Sequence, residues 1–157
     1  MLSLVTDRTA ADVARLRELL AKQPVANWEA IDRANFTAVH KGAYNYTDLN
    51  RVENAVQTLA NLLNANGYPV EIQSVKTNWA ESTIPTLADF TRYLDNVRRI
   101  RAAFYTLPTT PQVPASMNGL TYIKANAIEQ ILADIDVLLN NMIASYTYSG
   151  DIFGGEV

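Results

Sequence analysis

Apolar residues recur along this chain at the three-and-four spacing of buried helix faces. The strongest stripe is Leu49, Val52, Val56, Leu59 and Leu63, which predicts a helix from about Asn45 to Ala65. Asn66-Gly67 ends it, with Pro69 just beyond. A second stripe, Phe90, Tyr93, Val97, Ile100 and Phe104, predicts a helix from Thr86 to Tyr105. A third, Ala125, Ile128, Leu132, Ile135 and Leu139, predicts one from Thr121 to Tyr146. Upstream, Thr9 opens a helix carrying Val13, Leu16, Leu19 and Leu20 that stops at Pro24. Trp28, Ile31 and Val39 suggest a weaker helix broken near Asn35, with Gly42 placed as its C-cap.

The three strong segments align as copies of one unit. Asn45, Thr86 and Thr121 each stand where a side-chain oxygen can accept a free first-turn amide. A shift of 41 residues pairs Asp48 with Asp89 and Arg51 with Arg92. A shift of 76 pairs Asn50 with Asn126 and Glu53 with Glu129. Asp48 and Asp89 fall three residues after their caps, as in a capping box. Asn50/Glu53 and Asn126/Glu129 lie side by side on their helices. They are expected to act as polar clasps on the backbone of a neighbouring loop.

The connections differ. Val70 to Lys76 alternates apolar and polar residues, so a short strand or hairpin is expected there. Thr106 to Gly119 carries Pro108, Pro111 and Pro114 and should lie as an extended strap across the bundle. The last stretch, 147–157, ends in Gly-Gly-Glu-Val and is expected to be an extended tail with Tyr148, Ile152 and Phe153 available for packing. The expected fold is therefore all-α: a single helical domain built on three similar amphipathic helices. Its N-terminal helices cover 9–42, its repeats 45–146 and its tail 147–157.

Composition narrows the function. The 157 residues include 48% hydrophobic types, enough for a real core. The net charge of -3 argues against nucleic acid, which selects basic faces. Arg92, Arg98, Arg99 and Arg101 do not share a helix face and are expected to be solvated. With no cysteine, disulfides and thiolate chemistry are excluded. No apolar run reaches membrane-spanning length, and Met1 to Val5 is too short for a secretory leader.

Little here suggests catalysis. His40 stands alone, at an expected helix end or surface, without the partners that acid–base or metal chemistry needs. Glu129, Asp134 and Asp136 are expected on a solvated helix surface. No nucleophile elbow, phosphate loop or dinucleotide fingerprint is present. No enzyme activity, cofactor or metal is expected. Aromatic residues are the remaining candidates. Tyr46, Leu87 and Tyr122 share one column after the caps and are expected to pack between repeats. Tyr44, Trp79, Tyr146 and Tyr148 lie off the stripes and, with Ile152 and Phe153, are the expected interaction residues.

Several stretches are distinctive together. They are Lys41-Gly42-Ala43-Tyr44-Asn45-Tyr46-Thr47-Asp48-Leu49-Asn50-Arg51-Val52-Glu53, then Lys76-Thr77-Asn78-Trp79 with Ile84-Pro85-Thr86, and Arg92-Tyr93-Leu94-Asp95-Asn96-Val97. Leu120-Thr121-Tyr122 with Ala125-Asn126-Ala127-Ile128-Glu129 follows, then Tyr148-Ser149-Gly150-Asp151 with Gly155-Glu156. Over about residues 6–157 the chain resembles small tail- or baseplate-associated proteins of phages and prophages of Gram-positive gut bacteria. The hallmark, Asn-Arg-aliphatic-Glu on a capped helix, is intact at Asn50 to Glu53. Thr91 and Leu94 depart from it in the second copy, and Ala127 in the third. The resemblance implies a virion component made in the host cytoplasm and released by lysis. Its expected partners are other tail proteins and copies of itself, with a carbohydrate receptor as the alternative.

Overall fold

The computed structural model describes residues 1–22, 24–33 and 40–153; at Val25, His40 and 147–153 the description is of the backbone alone. The fold is all-α. Its helices are α1 (Ala10–Ala21), α2 (Tyr46–Ala65), α3 (Leu87–Ala103) and α4 (Tyr122–Phe153). A helical turn at 30–33 and 3-10 turns at Val25–Asn27 and His40–Gly42 lie between α1 and α2. Among the described residues there is no strand. No described helix is long and apolar enough to cross a membrane.

Helices α2, α3 and α4 each pack on the other two. The predicted stripes form one core with Trp79, Leu94 and Met117, while Phe90 and Phe104 are half-buried against it. The caps are where the sequence places them. Thr9, Asn45 and Thr86 each close a capping box, with Asp12, Asp48 and Asp89 returning the bond. Thr121 Oγ1 accepts from the Lys124 amide at 3.3 Å. Helix α2 ends in a Schellman turn: the Tyr68 amide reaches back to Leu63 O at 2.9 Å, and Gly67 takes φ 83°.

The three main helices run parallel, which requires each connection to return along the bundle. Fourteen helical steps from Asn64 back to Asn50 span about 21 Å. Nine extended steps from Val70 to Trp79 cover up to about 30 Å. Asn64 bonds Val70 and Asn50 bonds Trp79, so the connection climbs from the C-terminal to the N-terminal end of α2. Along α3, Arg92 meets Ser74, Asn96 meets Gln73 and Arg99 meets Glu71, the same antiparallel register. The 104–120 connection repeats this: Arg101 bonds Pro111 on the way down α3 and Arg98 bonds Pro114 above it. Against α4, Thr110 meets Asp134 and Asn118 meets Lys124. Residues 1–8, the first strap in chain order, lie on α4 in the same way, with Leu2 on Asp136, Val5 on Glu129 and Arg8 on Asn126. The unit that repeats is therefore a strap plus a helix. In the first unit, α1 and the turns up to Gly42 are inserted between the two.

Several expectations are corrected. Val70 to Lys76 is extended, but its backbone pairs with side-chain amides, so neither strand nor hairpin forms. The expected extended tail is instead α4 continuing through Phe153; residues 154–157 lie outside the described residues. The Trp28–Val39 helix exists only at 30–33 among the described residues. Trp28 precedes it, buried against Leu19, Ile31 is exposed, and Asn35 and Val39 lie outside the description. Gly42 is not a positive-φ cap. It lets the His40–Gly42 turn meet α1, where a Cβ would stand 2.4 Å from Asp12 O.

Candidate functional site

Four asparagines hold the straps by one device. Asn50 Nδ2 donates to Trp79 O at 2.9 Å, and its Oδ1 accepts from the Trp79 amide at 2.8 Å. Asn126 does the same to Arg8, at 2.8 and 3.1 Å. The asparagine half of each predicted clasp is therefore present. Asn96 clasps Gln73 at 2.9 and 2.8 Å, and Asn64 clasps Val70 at 3.0 and 2.9 Å. A carboxamide carries a donor and an acceptor side by side, so it pairs with a backbone residue as a neighbouring strand would. The sequence reading missed Asn64 and Asn96. The available signal was Asn96 between Tyr93 and Val97 on the stripe side of α3.

Glu53 serves an ion pair rather than the clasp itself, whereas Glu129 pairs with arginines and also holds the strap backbone at Val5. Arg92 grips Glu53 through both oxygens, at 2.9 and 2.6 Å, and also donates to Ser74 O. Glu129, fully buried, accepts from the Val5 amide at 2.7 Å, from Arg8 at 2.7 Å and twice from Arg51 at 2.8 Å. Asp48 closes the cluster by accepting from Arg8 at 2.7 Å, from Arg51 and from the Asn45 amide. The expectation of a solvated Glu129–Asp134–Asp136 surface is corrected. Glu129 and Asp136 lie beneath the first strap, while Asp134 takes Thr110 Oγ1 at 2.6 Å. The α3 arginines are corrected in part: Arg92, Arg98 and Arg101 are half-buried and donate to strap carbonyls, while Arg99 is exposed as expected and also reaches Glu71 O.

The aromatic candidates separate. Trp79 is 4% exposed and belongs to the core, with Lys76 Nζ 3.8 Å above its ring. Tyr44 is half-buried; its hydroxyl bonds that of Tyr93, and Arg8 lies 5.4 Å over its ring. Burial pushes both phenols above their ordinary titration range, and the neighbouring Glu129 adds to the shift. Trp79 is not a free platform because the core holds it, and Tyr44 is tied to Tyr93 and Arg8 while keeping part of its surface on the flanking clefts. Tyr146 is 70% exposed. The side chains of Tyr148, Ile152, Phe153 and His40 lie outside the description.

The parallel arrangement brings all three helix N-termini to one end. Tyr46, Leu87 and Tyr122, the first residues of α2, α3 and α4, do not pack between repeats there. Leu87 is 81% exposed, Tyr46 is exposed and Tyr122 half-buried. Leu20, Ile84 and Ile123 add exposed apolar surface nearby. Two clefts open beside Tyr44. One, of about 620 Å³, lies among Leu16, Leu20, Leu49, Pro85, Phe90 and Met117. The other, of about 390 Å³, lies between α1 and the start of α4. No cluster of metal-ligating residues occurs among the described residues. No protein-family profile, curated protein or solved structure matches the chain.

Proposed function

We propose that this protein is a non-enzymatic structural component of a phage or prophage tail, associated with the baseplate or fibre, and acts through protein–protein contacts. The observation that carries the interaction role is the ring of outward apolar residues at the shared helix N-termini: Tyr46, Leu87 and Ile123, with Ile84 and Leu20 beside them. Apolar side chains displayed together at one end of a domain favour burial against a partner. The buried charged residues Asp48, Glu53, Glu129, Arg8, Arg51 and Arg92 are committed to holding straps and helices together. The virion setting rests on the sequence resemblance. The polysaccharide-binding alternative loses Trp79, which the core encloses, and keeps Tyr44 only as a half-buried residue tied to Tyr93.

Mass spectrometry of gradient-purified particles tests the setting, and Leu87→Glu tests the face. The protein should be stoichiometric in particles. The variant should keep its helical circular dichroism and fail to incorporate. Absence of the protein from particles would overturn the virion role. Normal incorporation of Leu87→Glu would overturn the role of this face.

A further inference from the structure

We propose that the end of α4 is a self-association surface, on which a second copy of this chain lays its own α4 end antiparallel. The three main helices start level but do not end level. Helix α2 has 20 residues and α3 has 17, whereas α4 has 32. Tyr68, just past the end of α2, bonds Met142 Sδ at 3.3 Å, and Ile143 is the last described α4 residue packed on the core. Residues 144–153 therefore run on beyond α2 and α3 as about 15 Å of helix. The buried stripe of α4 does not stop where its neighbours stop. Ala125, Ile128, Leu132, Ile135 and Leu139 continue at the same spacing into Ile143, Tyr146, Gly150 and Phe153. Leu139 is fully buried, but Tyr146, on the same face, is 70% exposed.

Two features of this stretch call for a cover. Among residues 144–153 only Ala144 is a strong helix former, and Gly150 is the weakest, so packing rather than propensity must hold the helix. No charged residue occurs from Val137 to Gly150, whereas a helix face meant for water carries them. The spacing selects the occupant. Ile143, Tyr146, Gly150 and Phe153 are separated by three, four and three residues, a pattern that reads the same in both directions. Two antiparallel copies centred on residue 148 set position 143 against 153 and position 146 against 150. Apolar residue types meet at both ends, and the glycine stands opposite the tyrosine, where its backbone admits a close approach. Such a two-fold contact closes at a dimer. With about 15 Å of helix from each copy, the interface belongs to the small, reversible class. It lies at the opposite end from the ring of Tyr46 and Leu87 and does not depend on the virion setting.

The test is sedimentation equilibrium of the full chain over about a hundredfold range of concentration, read beside circular dichroism. The native protein should pass from monomer to dimer. Tyr146→Glu should weaken the dimer about tenfold per copy, about a hundredfold in a two-fold contact, with the bundle intact. Gly150→Leu should raise helicity yet also weaken the dimer, because the new side chain meets Tyr146 of the second copy; in a parallel pair it would meet itself and strengthen the contact. Tyr148→Ser, on the opposite helix face, should leave the constant unchanged. A monomer at every concentration, a dimer dissolved by Leu87→Glu but not by Tyr146→Glu, a stronger dimer with Gly150→Leu, or equal losses from Tyr146→Glu and Tyr148→Ser would overturn the proposal.

Discussion

Replacing Asn50 by alanine should destabilise the fold far more than the same replacement at Asn64, although each side chain makes the same reciprocal pair of backbone bonds. The difference is burial. Asn50 holds the amide and carbonyl of Trp79, a residue 4% exposed, so without the clasp both groups are stranded away from water. Each buried, unsatisfied polar group costs about 1–3 kcal/mol, which gives about 2–4 kcal/mol for the pair after partial relaxation. Asn64 is exposed, so water can replace its bonds and the loss should be about 0.5–1 kcal/mol. A domain of this kind has about 5–15 kcal/mol in total, so the first loss should move a urea midpoint visibly without changing the slope. Asn50→Asp sharpens the test. It keeps the acceptor for the Trp79 amide but sets a second acceptor against the carbonyl, so it should be no better than alanine. Equal losses at positions 50 and 64, or a loss under about 1 kcal/mol at Asn50, would refute the strap-clasp account.

Glu129→Ala should cost about 3–5 kcal/mol, because it leaves the buried Arg8 and the half-buried Arg51 to share Asp48 as their one remaining carboxylate; chemical denaturation against Glu129→Gln measures this. Gly42→Ala should loosen α1 specifically, since its Cβ would meet the Asp12 carbonyl at 2.4 Å, and hydrogen exchange should accelerate in Ala10–Ala21 while α2 to α4 stay protected. Tyr44 and Tyr93 have folded pKa values raised by burial, so folding favours their neutral forms: that stability is complete below about pH 10 and is lost as pH rises above it. An ultraviolet titration should therefore show these two phenols ionising only together with unfolding, and early ionisation of every tyrosine in a folded protein would contradict this. Asp12 and Asp89 have pKa values lowered by their cap threonines, so their contribution is present above about pH 4 and fades as pH falls through the folded values; helicity at acid pH in Asp12→Asn and Asp89→Asn should change less than in the native chain.

The helices were legible in the sequence because burial of a helix face leaves a periodic trace, and the stripes from Leu49 and from Ala125 lie in the core as spaced. Caps and the Gly67 turn were legible because they depend on residues adjacent in sequence. Straps were not. Their contacts join Leu2 to Asp136 and Gln73 to Asn96, separations at which no local pattern exists. The alternation at Val70 to Lys76 was a true sign of extended backbone, and its failure to become a strand reflects the partner: helix-borne carboxamides and guanidiniums occupy the positions a second strand would fill. Arg98 and Glu129 looked solvated for the same reason, since a charged helix residue is indistinguishable from a surface residue until a strap is laid over it. The candidate face was less visible still. The column of Tyr46, Leu87 and Tyr122 was seen, but its outward direction depends on three helices ending level, which only parallel packing provides.

The departures from the repeat also acquire a physical sense. Arg51 of the first unit holds Glu129 of the third, and Arg92 of the second holds Glu53 of the first. Each arginine thus reaches one way round the bundle. Completing the cycle would need an arginine at position 127 reaching a glutamate at position 94. Those positions are Ala127 and Leu94, so both members of the third pair are absent together. The asparagine clasps are cyclic too, in the opposite sense. Asn50 holds the strap that leads into α3, and Asn126 holds the one that leads toward α2. Thr91, the counterpart of both, bonds the Leu87 carbonyl within its own helix, and the strap leading into α4 is held by Arg98 and Arg101 instead. Losing one charge while keeping its partner would strand that partner at a cost of several kcal/mol, whereas losing both is close to neutral. The second and third units therefore differ from the first in a paired way, as a cyclic set of contacts requires, and this favours a true threefold repeat over three unrelated amphipathic helices.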